Sequence, residues 1–386
     1  MPIFAINEIF MIQRILLKVI QDELFKGKTI IINGPRQVGK TTLLDMIANG
    51  ISHKVKLIDC DEPDIRKRLS NSTSTELKHL IGDAQVIMID EAQRVKDIGI
   101  TLKLIQDKIK GVQVIVTGSS ALELSNKINE PLTGRKFEYL LLPISTTEMI
   151  GHTDFLTEKR LLKARLLYGM YPEVINQPGN ERKILSNLAG SYLYKDIFSF
   201  QDVRKPEIIE SLLESLALQI GSEVSYHELG NNLGIDQLTV RRYIDLLEKT
   251  FVVFRLRAFS RNIRNEIKKS RKIYFYDNGI RNALISNFNS FELRSDKGAL
   301  WENFLVSERK KWLNNNTLDT RCFFWRTTQQ QEIDYIEDRD GLIKAYEFKW
   351  GGKGHTKFPV TFTKAYPDSK TFLINPENYL SFVGEQ

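Results

Sequence analysis

Short, continuous apolar runs alternate with helical patterns through the first 150 residues. Lys28–Asn33, Val55–Ile58, Val86–Asp90 and Val112–Thr117 are rich in β-branched residues and read as strands covered on both faces of a parallel sheet. The intervals between them leave room for crossover helices, so an α/β domain is expected over residues 1–150. A further run, Phe137–Ile144, reaches Pro143 and is expected to close the sheet. Residues 151–205 read as mainly helical, a lid on that domain, interrupted by YGMYPEV at 168–174 and QPGN at 177–180.

The pattern changes after residue 205. Ser225–Glu228 has the form of a capping box, in which Ser225 caps a short helix and Glu228 reaches back. Gly234 supplies a turn and Asp236 can cap a second helix through Lys249, with Val240, Tyr243, Ile244 and Leu247 at i, i+3, i+4, i+7. Helix, Gly turn, helix is the helix-turn-helix signature, and Arg241 and Arg242 fall off its apolar stripe. FVVFRLRAF (251–259) and KIYFY (272–276) are expected to pair as a hairpin, giving a winged helix over 206–290 with residues 261–272 at the tip of the wing. Phe251, Phe254, Tyr274 and Phe275 read as core rather than base-stacking positions. Over 291–386 a long helix, Gly298 to Trp312, precedes strands near 321–326, 332–337 and 343–350.

A chain of 386 residues suggests two or three domains, and 42% hydrophobic content excludes a disordered or collagen-like chain. The net charge is +7, and residues 251–275 hold eight basic side chains against Glu266 alone. An excess gathered at the expected wing suggests an anionic partner. Cys60 and Cys322 lie far apart, which rules out a disulfide framework and fits a reducing cytoplasm. The five histidines are scattered without zinc-ligand spacing. The N-terminal stretch has no basic residue ahead of its apolar positions and carries Glu8, so it makes a poor signal peptide. No apolar run approaches the ~20 residues that cross a bilayer, so no membrane partner is expected.

The strongest chemistry lies at GPRQVGKT, residues 34–41, which fits G-x-x-x-x-G-K-[ST] between an expected strand and an expected helix. Gly34 and Gly39 let successive N–H groups face phosphates; Pro35, Arg36, Gln37, Val38 and Thr42 complete the cradle. Lys40 can reach the β- and γ-phosphates of ATP, and Thr41 can place its hydroxyl on Mg²⁺. The helix that follows directs its positive end at the anion. Further on, an apolar strand leads into Asp90, suited to hold Mg²⁺, and Glu91, suited to polarise the attacking water. Thr117 and Ser119, in TGSS, either sense the γ-phosphate or simply form a turn. Arg135, in LTGR, either neutralises charge in phosphoryl transfer, in cis or from a neighbouring copy of a homo-oligomer, or is a surface residue.

GPRQVGKTTLL, IDEAQ, TGSSA, LTGR and YGMYPEV together resemble the prokaryotic AAA-type ATPases that carry a C-terminal DUF4143 region. The resemblance implies a P-loop NTPase core of the ASCE class, with a strand inserted between the two Walker strands. It also implies a winged helix and a nuclease-like end. In the C-terminal stretch, AYEFKW puts Glu347 and Lys349 on one strand face, EIDYI puts Glu332 and Asp334 on another, and Glu302 lies on the preceding helix. This resembles the PD-(D/E)XK nuclease core, although the first motif lacks its proline. There, Asp334 and Glu347 would bind a divalent ion and Lys349 would assist, with Glu302 as outer support. An ion pair of these acids with Lys349 is the alternative.

The expected architecture is thus an ATPase core at 1–150, a helical lid at 151–205, a winged helix at 206–290 and a small α/β restriction-endonuclease-like domain at 291–386. Two functions fit. One is a DNA-associated ATPase, touching phosphates through Arg241, Arg242, Arg261, Arg264, Lys268 and Lys269. The other is a regulatory switch whose winged helix binds protein and whose C-terminal domain is inert.

Overall fold

The computed structural model describes residues 11–119, 128, 131–192, 197, 205–260, 270–351 and 358–384. The chain divides into two compact units, Met1–Pro143 with Lys249–Phe251, and Ile144–Glu248 with Val252–Gln386. Among the described residues no helix is long and apolar enough to cross a membrane.

The first unit is a parallel sheet with helices between its strands. In chain order it contains α1 (Ile15–Asp22), β1 (Thr29–Asn33), α2 (Lys40–Asn49), β2 (Val55–Asp59), α3 (Pro63–Leu69), α4 (Ser74–Ile81), β3 (Val86–Asp90), α5 (Ile98–Lys108), β4 (Gln113–Gly118) and β5 (Lys136–Leu140). The sheet order is β2-β3-β4-β1-β5, and every pairing is parallel. β4 therefore lies between β1 and β3. The three central strands are buried along their whole length, which is why they read as unbroken apolar runs; β2 and β5 are partly exposed edges. Ile31, Ile87, Ile89, Val114 and Val116 pack with Leu77, Leu102 and Ile105 in one cluster. β5 is shorter than the apolar run suggested. Beyond Leu140 the chain still binds β1, since the Leu141 N–H donates to the Asn33 carbonyl at 2.7 Å.

The second unit begins with helices α6 (Thr146–His152), α7 (Phe155–Tyr168), α8 (Pro172–Asn176) and α9 (Glu181–Asn187), followed by α10 (Pro206–Leu218). Next come α11 (Tyr226–Leu233), α12 (Gln237–Lys249), β6 (Val253–Ala258), β7 (Arg271–Phe275), α13 (Asn278–Leu284) and α14 (Lys297–Asn315). The chain ends with β8 (Arg321–Arg326), β9 (Glu332–Arg339), β10 (Leu342–Phe348), α15 (Val360–Ala365), β11 (Lys370–Ile374) and α16 (Tyr379–Val383). The helices of 146–187 belong to this unit: Asn278 and Asn282 donate to carbonyls at the end of α7.

The helix pair forms as read. Gly234 is left-handed at φ 65°, Asp236 accepts from the N–H groups of Leu238 and Thr239, and the stripe Val240, Tyr243, Ile244, Leu247 is buried. Only half of the expected capping box is present. Ser225 accepts from the Glu228 N–H at 3.3 Å, while the exposed Glu228 carboxylate does not reach back.

β6 and β7 pair antiparallel as expected, but they are not an isolated wing. The order β11-β10-β9-β8-β6-β7 makes one six-stranded sheet, with β6 parallel to β8 through Arg257↔Phe323 and Ala258↔Phe324. A sheet thus spans the division expected at 290/291. α14 is buried nearly all round, and several of its polar groups are paired inside: Asn303 bonds Phe275 and Asn278, and Lys311 bonds Glu308 at 2.6 Å.

Candidate functional site

β1 delivers Gly34 against the sheet, where a β-carbon would fall 2.1 Å from the Leu141 carbonyl oxygen; only glycine fits. Gln37 and Gly39 then turn left-handed, at φ 60° and 90°, and Gly39 caps the N-terminus of α2. A loop of this form gathers its N–H groups and the positive end of the helix it opens on one side, as an anion requires. The Lys40 ammonium donates to the carbonyls of Gly34 (3.0 Å) and Pro35 (2.9 Å), folded onto the loop it serves. Arg14 braces the loop from behind, donating to Val38 O at 2.9 Å and Leu142 O at 2.6 Å.

Because β4 separates the strands that carry the two motifs, their polar ends meet around it. The Thr41 hydroxyl donates to Asp90 Oδ2 at 2.6 Å, and the Thr117 hydroxyl donates to Asp90 Oδ1. The Glu91 N–H reaches both Asp90 Oδ1 and Thr117 Oγ1 at 3.1 Å. Glu91 itself is left-handed, φ 50°. Gln93 Nε2 donates to Glu91 Oε2 at 2.6 Å and to Ser119 Oγ at 3.0 Å. A hydroxyl and a carboxylate side by side form the oxygen-only donor set that suits Mg²⁺.

Arg135 is not brought to this place. Its carbonyl accepts from Thr29 N–H, at the start of β1, whereas the phosphate loop leaves the end of β1. Five residues at roughly 3.3 Å each separate those ends. Arg135 pairs with Asp107 at 3.3 Å, so a role in cis is excluded by the strand's direction.

In the second unit, β9 and β10 pair Tyr335 with Tyr346, a register that sets Asp334 opposite Glu347. The Phe348 N–H donates to Asp334 Oδ2 at 2.7 Å. The expected acids do gather, but around a cation that sequence reasoning assigned to the wing. Lys272 Nζ lies 2.9 Å from Glu302 Oε1 and 2.5 Å from Glu332 Oε1, and Tyr274 OH donates to Glu302 Oε1 at 2.6 Å. Burial opposes the Lys272 charge, yet Glu302, Glu332 and Asp334 outweigh it and hold the ammonium protonated. Burial, then Glu302 and Glu347, push the Asp334 carboxyl well above the usual range. Burial also raises Glu347, against the pull of Lys349, whose Nζ is 3.4 Å from Glu347 Oε2. Lys349 lies one residue past β10 and is half-exposed. Among the described residues no three His, Cys, Asp or Glu side chains are grouped to hold a metal ion. The ion pair is therefore with Lys272, in addition to the Lys349 contact expected as the alternative.

The basic stretch is thinner than its sequence suggests. Arg255 is tied to Glu248 and to Asp245, Arg271 lies over the Tyr226 ring at 4.3 Å, and Lys272 is buried in the acid cluster. Arg241 and Arg242 are exposed on α12. Arg261, Arg264, Lys268 and Lys269 lie outside the described residues.

Arg14, Gln93 and Lys272 were not assigned to these sites from sequence. Gln93 had a legible signal, its place two residues after Glu91. Lys272 had none, because its acids come from elements 30 or more positions away.

Residues 26–150 match the AAA domain. Residues 159–290 and 297–385 match two domains of unknown function, DUF8612 and DUF4143. An uncharacterized protein of Mycobacterium tuberculosis is 28% identical over 332 residues, covering 84% of this chain and 71% of its own. An uncharacterized protein of Haemophilus influenzae is 27% identical over 179 residues, 44% of each chain. One from Methanocaldococcus jannaschii is 24% identical over 303 residues, covering 67% of this chain and 63% of its own.

Proposed function

We propose, for a chain that carries an AAA domain followed by a C-terminal DUF4143 region, that the first unit binds and hydrolyses ATP and that the second engages DNA. The observation that carries the first half is the meeting of Thr41, Asp90 and Glu91 beside the left-handed loop that ends in Lys40. Lys40 exchanges its loop carbonyls for phosphate oxygens, and the loop N–H groups and α2 bind the rest of the anion. Thr41 and Asp90 are the residues that would hold Mg²⁺, which, when bound, neutralises charge on the β- and γ-phosphates. Glu91 orients and polarises the attacking water. Arg135 supplies charge only to a neighbouring copy, in a homo-oligomer.

The DNA reading rests on the exposed arginines of α12 and on the basic sequence 261–269 between β6 and β7. Phosphate contacts of this kind give affinity without sequence preference. In this division, residues 1–150 are the ATPase core and 206–290 a winged helix whose hairpin extends the sheet of a nuclease-like end.

The ion pairs of Lys272 favour a second reading of that end. A buried ammonium already pairs with Glu302 and Glu332, the acids beside Asp334, in the space where a metal-dependent nuclease centre would need a divalent ion. The C-terminal sheet then serves binding or regulation, and Asp334, Glu347 and Lys349 do not cut.

The test is one reaction containing the protein, ATP, Mg²⁺ and duplex DNA, followed for phosphate release and DNA integrity together. Phosphate release that rises with DNA, with the DNA left whole, is expected. Release that ignores DNA would leave a nucleotide switch whose partner is a protein. Cleaved DNA would restore the nuclease.

A further inference from the structure

Glu91, the residue placed on the attacking water, is held at three points, and one of them, at its side chain, involves a residue with no assigned role. Its backbone sits left-handed at φ 50°, a conformation that a side-chain-bearing residue adopts only where its surroundings impose it. The Glu91 N–H is fixed by Asp90 and by Thr117 of β4, both at 3.1 Å. Its side chain is fixed by Gln93. The chain leaves β3 at Asp90, turns at Glu91, and enters a short 3₁₀ turn, Ala92–Arg94, that folds Gln93 back toward β4.

Gln93 is buried there, and Nε2 meets two acceptors: Glu91 Oε2 at 2.6 Å and Ser119 Oγ at 3.0 Å. An ionised carboxylate only accepts, so the amide must present its NH₂ to Glu91. That group has two hydrogens, one for each acceptor. Thr117 lies in β4 and Ser119 is the first residue past its end, so the backbone and the side chain of Glu91 are both referred to the C-terminal end of that strand. β4 is also the strand that lies beside β1, from whose end the phosphate loop departs.

We infer that Gln93 is the positioning residue for Glu91: its amide clamps the carboxylate to Ser119, so that the end of the strand beside the phosphate loop sets where Glu91 points. Gln93 orders the group that acts on water, and the reach of its two methylenes is what lets a residue two positions on fold back to the Glu91 carboxylate. The inference rests on the reading of Glu91 as the residue that polarises water.

The test uses the full chain with Gln93→Met, which keeps the length and loses the amide, and Gln93→Glu, which keeps the shape and replaces the donor by an acceptor. Turnover number and ATP affinity are measured for each, alone and combined with Glu91→Gln, with wild type and Glu91→Gln alongside. Both Gln93 variants should lower kcat by roughly 10- to 100-fold, as expected for losing a hydrogen bond to a charged group, with ATP affinity unchanged. Neither should slow Glu91→Gln further, because the clamp has nothing left to position. Ser119→Ala, which removes one of the two anchors, should fall between. Wild-type kcat in both Gln93 variants overturns the inference. So does an equal further loss in the Glu91→Gln background, or ATP affinity that falls in step with kcat, since either would mark a merely structural turn. A wild type without turnover, or a Glu91→Gln as fast as wild type, instead overturns the reading of Glu91 and takes the inference with it.

Discussion

A β-carbon on Gly169 would lie 2.0 Å from Oδ1 of Asp277, whose other carboxylate oxygen accepts the Met170 N–H at 2.7 Å. Gly279 is equally tight, since its β-carbon would fall 2.2 Å from the Tyr168 carbonyl oxygen. The segment 168–174 and the start of α13 therefore close on each other across more than a hundred residues. Asp277 also caps α13 through the N–H groups of Gly279 and Ile280. A motif that stood out in sequence is thus a packing device.

Gly169→Ala should be strongly destabilising. At φ 66° and ψ −158° the backbone lies in a region open essentially to glycine alone, costing about 1–3 kcal/mol for a residue with a β-carbon, and the clash with a buried carboxylate adds to it. A loss above roughly 3 kcal/mol is expected in urea unfolding. Gly298→Ala, inside α14 with open space around it, should be neutral or stabilising by about 0.5–1 kcal/mol. Similar effects at both positions would contradict the interlock.

Asp334 makes a pH-dependent contribution of a definite sign. Its folded pKa is raised, first by burial and then by Glu302 and Glu347, so the folded chain keeps a proton that the unfolded chain has released. Stability then falls as pH rises from about 4 toward the folded pKa. Asp334→Asn cannot lose that proton. It should match wild type near pH 4 and become the more stable protein toward neutrality, read as melting temperature across pH. A difference that does not change with pH, or a less stable variant at neutral pH, would contradict the shift.

DNA affinity should depend steeply on salt. Each phosphate neutralised adds about −0.9 to the slope of log affinity against log salt concentration. Arg241→Ala with Arg242→Ala should flatten that slope by up to about 2, measured by fluorescence anisotropy at several salt concentrations. Arg255→Ala should not flatten it, because that side chain is spent on Glu248 and Asp245. A slope unchanged by the α12 double substitution would remove this helix from the interface.

The sequence was most legible where one short segment carries the whole device. The loop 34–41 and the strand into Asp90 each hold their chemistry within a few residues, and burial on both faces leaves central strands as unbroken apolar runs. Local caps were legible in principle as well: Ser145 and Glu148 form a full capping box that sequence reasoning passed over, while Ser225 and Glu228 form only half of one. What could not be read was pairing between distant elements. Lys272 looked like part of a basic run until β7 brought it beside Glu302 and Glu332. Arg135 looked like a candidate for phosphate until the direction of β5 put it at the wrong end of the sheet. Likewise, β6 and β7 read as a separate wing because nothing in their own residues specifies β8 as a neighbour.

The most direct measurement is ATP binding and phosphate release by Glu91→Gln beside wild type and Lys40→Ala. Lys40→Ala should stay folded and lose ATP binding, since Lys40 is the cation placed at the N-terminus of α2 to reach the β- and γ-phosphates. Glu91→Gln should bind ATP as wild type does, because Lys40, Thr41 and Asp90 are untouched, while turnover falls at least roughly 100-fold. ATP affinity retained with turnover lost in Glu91→Gln is the expected result; turnover equal to wild type in that variant would contradict the assignment of the site.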